Sequence, residues 1–190
     1  KEGKMALALE RGKDSTTYGI FVKKHIRFVM QGNSLSFNCD LGYYVGWNVY
    51  LKEITDVINA MQECGITKEF NRVQIRYISE YIDIDIIDQI NGTICINSEV
   101  GPYRNQEIKL NRTEGNMKVF VSLVNKARRK NAKGKERISS LFDVNVYENF
   151  DFTNSVEIVT NMLDKIHNME KETFFGLLKK DFIQSLNPEY

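Results

Sequence analysis

An α+β domain, with a largely antiparallel sheet, a mid-chain helix and a long carboxyl-terminal helix packed on one face, is the fold this 190-residue sequence predicts. Three observations predict it. Strand-patterned segments dominate the middle of the chain. Apolar residues recur at three and four residues in two long stretches, each following a cluster of strands. Gly/Asn turn signals separate neighbouring strands, as hairpins require.

Tyr18 to Val29 and Asn33 to Cys39 read as two strands joined by the turn Gln31-Gly32-Asn33. A loop with Gly42 and Gly46 follows. From Trp47, the spacing of Val49, Ile54, Val57, Ile58 and Met61 gives an amphipathic helix of about 16 residues, with Gly65 at its carboxyl cap. Arg72 to Ile82 is a strand with Val73, Ile75 and Tyr77 on one face and Gln74, Arg76 and Ile78 on the other. Asp83 to Ile90 reads as a short helix capped by an aspartate. Gly92 to Ser98, Glu107 to Asn111 and Lys118 to Val124 are further strands, the last two separated by Thr113-Glu114-Gly115-Asn116. Ser139 to Glu148 alternates Leu141, Asp143, Asn145 and Tyr147 with Phe142, Val144 and Val146, giving one wet and one dry face. Thr153-Asn154-Ser155 caps the last element, whose apolar spacing runs from Val159 to Leu186. Unbroken, that helix would be about 47 Å long at ~1.5 Å per residue, against about 40 Å for a domain of this size, so a break is expected near Gly176.

One domain over residues 1–190 is expected from the length. Because the chain opens with Lys1 rather than methionine, a fragment lacking an amino-terminal strand region is expected. No apolar run approaches the ~18 residues of a membrane span, and Met5-Ala6-Leu7-Ala8-Leu9 is too short for a signal-peptide core. Cys39, Cys64 and Cys95 are odd in number and widely spaced, so reduced thiols and a cytoplasmic location are expected, with Cys64 buried at its helix end. Net charge is +1, but Lys126 to Arg137 holds seven basic residues and one acid, leaving 19 basic against 24 acidic residues elsewhere.

Arg76 sits among apolar residues and must find a partner: an internal salt bridge or a carbonyl anchor, or an anion at the mouth of a pocket. His167 has Asp164 and Glu170 three residues away on either side, a cluster able to share a face of one helix. A metal site would need further nitrogen or sulfur ligands, and the only other histidine is the distant His25, so no metal and no cofactor are expected. Asp83, Asp85 and Asp88 lack the glycine and terminal glutamate of a calcium loop and read as capping groups. Phosphate-cradling, dinucleotide and nucleophile-elbow motifs are absent. The segment Lys126 to Arg137 reads as a loop that is solvated or contacts phosphate, with Arg128, Arg129 and Lys130 as the phosphate contacts. It has no interleaved aromatics to stack bases.

The ordered series Ser34-Leu35-Ser36-Phe37-Asn38, Gly42-Tyr43, Gly46-Trp47, Val73-Gln74-Ile75-Arg76-Tyr77-Ile78, Leu141 to Tyr147, Leu163-Asp164-Lys165-Ile166-His167 and Phe174-Phe175 resembles a sporadically distributed family of uncharacterised prokaryotic proteins. Members usually carry R-Y-I-N where this chain has Ser79, and the strand that usually opens the family is not evident here. The resemblance implies a shared fold and a bacterial origin, and it implies no reaction.

The leading expectation is a non-enzymatic binding or assembly module for a protein partner or a second copy, motivated by Tyr43, Tyr44, Trp47 and Tyr50. The alternative is a nucleic-acid-associated protein using the basic segment 126–137. An enzyme of unknown reaction is the third class, favoured only if Arg76, His167 and an acid converge on one pocket.

Overall fold

The computed structural model describes residues 2–11, 19–23, 26–31, 33–40, 45–92, 106–130, 134 and 136–186. The expected strand after Gly92, together with Gly42, Tyr43, Tyr44, Cys95, His25, Lys133 and Lys135, lies outside them. The strands are β1 (Glu2–Arg11), β2 (Gly19–Lys23), β3 (Ile26–Gln31), β4 (Ser34–Asp40), β5 (Phe70–Ile82), β6 (Gln106–Glu114), β7 (Met117–Lys130) and β8 (Glu136–Thr153). They form one sheet in the order β2, β3, β4, β1, β5, β8, β7, β6, and each described pairing is antiparallel.

The helices are α1 (Trp47–Glu63), α2 (Val156–Leu177) and α3 (Lys180–Ser185). All three touch the same sheet face. Tyr50 of α1 hydrogen-bonds Cys39, Phe174 of α2 stacks on Phe142 at 5.0 Å, and Phe182 of α3 meets Tyr81 at 5.4 Å. Between them lies the core, where Phe37, Ile75, Phe142 and Val146 from the sheet and Ile54, Ile58, Leu163 and Ile166 from the helices are fully buried. The α+β architecture with its helices on one face is therefore as the sequence reads. No described helix is long and apolar enough to cross a membrane.

Local signals act where the sequence places them. Gly65, at φ +68°, donates to Gln62 while Ile66 donates to Met61, the paired closure that a left-handed residue after a helix permits. Ser155 Oγ accepts the Ile158 N–H at the start of α2. Asp85 Oδ1 accepts from Ile87 and Asp88 at a single 3₁₀ turn, Ile87–Gln89.

Four readings need correction. Residues 2–11, not read as a strand, form β1, which lies between β4 and β5 in the middle of the sheet. Tyr18 to Val29 is two paired strands, Phe21 opposite Phe28, because apolar residues on both sides of Lys23 hide the reversal. The basic segment is extended: β7 runs to Lys130 and β8 starts at Glu136, so Lys126, Arg128, Arg129, Lys130 and Arg137 lie on a hairpin. A bulge with Lys126 at φ +48° lets the hairpin leave the core. It is fixed by Lys126 N–H donating to Ser140 Oγ, Ser140 Oγ–H to the Ile84 carbonyl, and Ile86 N–H to Asn125 Oδ1. The last helix does break near Gly176, at Leu178, which is extended and bridges Ile90 and so leaves the helical ladder. Finally, Cys64 is exposed, since the cap residue points past the end of the buried stripe.

Candidate functional site

Successive residues of β5 point to opposite faces, and this divides the predicted residues into two groups. Arg76 stands on the face without helices, and Tyr77 stands beneath α2. The Arg76 guanidinium grips Asp143 of β8 in a fork, Nε to Oδ1 at 3.0 Å and Nη2 to Oδ2 at 2.6 Å. Those hydrogen bonds raise the Arg76 pKa above its already high ordinary value. Arg76 has found its carboxylate, but on an exposed sheet face rather than in the core.

His167, Asp164 and Glu170 lie on neighbouring turns of α2. The first residue of α1, Trp47, organises two of them: its indole stacks on the His167 ring at 4.1 Å and 17°, while Nε1–H donates to Asp164 Oδ1 at 2.7 Å. The Tyr77 ring lies 6.0 Å from the imidazole, tilted by 41°. Burial drives the His167 pKa down to about 4, against the pull of Asp164, and its Nδ1 has no hydrogen-bond partner among the described residues. Glu170 is 4% exposed, and burial pushes its carboxyl up to about 8. At neutral pH the cluster therefore holds a neutral imidazole and a protonated acid. Among the described residues no three His, Cys, Asp or Glu side chains are grouped to hold a metal ion. Arg76 lies across the sheet from His167, so the convergence that a catalytic reading requires does not occur.

Among the described residues, four of the hairpin cations, Lys126, Arg129, Lys130 and Arg137, pair with three carboxylates. Glu80 of β5 accepts from Arg137 Nη2 at 2.5 Å and from Ser139 Oγ at 2.6 Å, with Arg129 at 4.0 Å. Lys126 pairs with Asp85 at 2.8 Å; burial works against the Asp85 carboxylate, but the lysine and Asn125 outweigh it and lower its pKa. Lys130 lies 4.0 Å from Glu136. Of the three predicted phosphate contacts, Arg128 alone has no ion pair among the described residues.

Two features were not read from the sequence. One is a groove of about 320 Å³ between β6, β7 and the last turns of α2, lined by Leu110, Val119, Val121 and Leu177, with Arg112 donating to Thr173 Oγ1 at its wall. The other is the uncovered sheet face, on which no described helix packs. There Arg72 lies 4.1 Å over the Tyr147 ring, and Tyr147 stacks on Phe120 at 5.8 Å and 6°. This row spans β5, β8 and β7, and Phe120 stays 41% exposed. Alternation placed Tyr147 on the wet face, but only the strand register brings residues 72, 147 and 120 together. No family model, no curated protein and no solved structure matches the chain.

Proposed function

We propose that this chain is a non-enzymatic binding module of a bacterial cytoplasm, and that its contact surface is the uncovered face of the sheet. One observation carries the reading: three helices cover one face of an eight-stranded sheet, while the other presents Arg72, Tyr147 and a half-exposed Phe120 in a row. Arginine, tyrosine and phenylalanine are the residue types that recognition surfaces use most. The separation of Arg76 from His167 weighs against catalysis.

Size analysis of the tagged chain in bacterial extract tests this. The wild type is expected in an assembly well above its own 22.1 kDa, and the variant carrying Phe120→Ala and Arg72→Glu is expected at the free size. Wild type and variant eluting alike, at the free size, would overturn it.

A second reading, a protein partner or a second copy added to the sheet edge, is favoured by β6. It ends the described sheet, its residues from Lys109 to Glu114 are all exposed, and the apolar groove lies beside it. Charged Lys109 and Arg112 work against strand addition. Light scattering across concentration, with Leu110→Asp as control, decides between self-association through β6 and a free edge.

A further inference from the structure

We infer that the uncovered sheet face binds single-stranded nucleic acid, with a base stacking on Phe120 and phosphates meeting Arg72 and Lys118; the inference rests on the binding-module reading above. One exposed phenylalanine means little by itself. The setting of Phe120 is what matters. The register puts Lys118 opposite Tyr147, Tyr147 opposite Gln74, and Asn145 between Phe120 and Arg76, so these groups form a continuous patch over three adjacent strands.

On this patch the Phe120 ring is parallel to Tyr147, which is itself capped by Arg72, and Arg72 is held in place by donating to Gln74 Oε1 at 2.8 Å. The arrangement is a row of planar groups, fixed before any ligand arrives, with the phenylalanine at its open end. Unpaired bases stack on such platforms without sequence preference, whereas paired bases cannot offer their faces.

Charge points the same way. Across these rows β5, β8 and β7 carry Arg72, Arg76 and Lys118 against one acid, Asp143, which Arg76 already neutralises. The basic hairpin, by contrast, has most of its cations committed to Glu80, Asp85 and Glu136. A shallow hollow of about 610 Å³ adjoins the patch at Lys118 and Asn149, lined also by Asn116 and Asp151, and extends the polar track beyond the aromatic row. A protein interface of ordinary size would want a contiguous apolar centre. Phe120 is the only strongly exposed apolar side chain in these rows.

Fluorescence anisotropy of the full chain with labelled oligouridylate and oligothymidylate of about 12 nucleotides, and with a duplex of the same length, tests the inference. Single strands are expected to bind at least about tenfold more tightly than the duplex. Contact with two phosphates gives a slope of log affinity on log salt of about −1.4. Phe120→Ala should weaken binding roughly 5- to 150-fold, the loss of one base stack, with that slope unchanged. Lys118→Gln should flatten the slope, and melting curves show that both variants are folded. If RNA binds and DNA does not, or the reverse, the inference stands and the sugar is assigned. Failure of both single strands to bind overturns it, as does equal binding of the duplex or indifference to Phe120→Ala. An assembly in extract that resists nuclease but is lost in the double variant would overturn the nucleic-acid inference alone. With neither assembly nor oligonucleotide binding, both readings fall.

Discussion

The indole of Trp47 lies face to face with the imidazole of His167, 4.1 Å between centroids, and donates its one N–H to Asp164 a turn earlier on α2. Helix α1 is thereby pinned to α2 by its first residue. Since Trp47 is the only tryptophan in the chain, its fluorescence reports on this contact.

A neutral imidazole leaves indole emission largely intact, whereas an imidazolium accepts an electron from the excited ring and quenches it. Emission should therefore fall with a midpoint near pH 4, where burial has moved His167, rather than near the ordinary histidine value of about 6.5. The step should be absent in His167→Phe, with circular dichroism separating it from unfolding. The same shift has a stability consequence. Between pH 6.5 and about 4 the unfolded chain is protonated at His167 while the folded chain is not, so this residue subtracts stability as pH falls through that window.

Glu170 acts in the opposite direction. Its folded pKa of about 8 lies above the unfolded value of 4.5, so the folded state holds a proton that the unfolded state has lost, and stability falls as pH rises from about 4.5 to 8. Glu170→Gln should remove that dependence and stabilise the protein at pH 8 by up to about 4 kcal/mol in urea melts. An unchanged pH profile would place the carboxyl in water.

Arg137 and Arg128 separate a structural cation from one with no ion pair among the described residues. Arg137→Ala removes the closest partner of Glu80, whose side chain is only 12% exposed, and should cost about 1–3 kcal/mol of unfolding free energy. Arg128→Ala should change stability by less than about 0.5 kcal/mol. Equal costs would mean that Glu80 does not depend on Arg137.

At the helix break, Leu178 is fully buried, and its neighbours donate across the same junction, Asn91 N–H to the Leu177 carbonyl and Lys179 N–H to that of Gln89. Leu178→Ala should cost about 2–5 kcal/mol, and removing the chain from Leu178 onward, which also strips Phe182 from Tyr81, should abolish cooperative melting. A truncated chain that melts like the full one would show α3 to be dispensable.

Period and capping made much of this fold legible. The dry faces of β5 and β8, the start of α1 and the Ser155 cap all follow from patterns within about ten residues of each other. β1 was missed because Gly3, Ala6 and Ala8 are weak strand formers; pairing with β4 and β5 on both sides decides its structure. The segment 126–137 reads as a loop because charges dominate its composition, while two of the carboxylates that pair with it, Glu80 and Asp85, come from elsewhere in the chain. His167, Asp164 and Glu170 were found by helical spacing. Trp47, 117 residues from Asp164, could not be found that way.

The position of β5 also governs when the sheet can close. Its residue Ile75 pairs with Leu7 on one side and Val146 on the other, each about 70 residues away. During synthesis, β5 can dock on β1 as soon as it emerges, but its second edge has no native partner until β8 has been made. For that interval the growing chain carries an open apolar strand, the kind of edge on which chains of different copies join. Slowing translation between Ile82 and Glu136 should therefore lower the soluble yield, and a chaperone that shields strand edges should restore it.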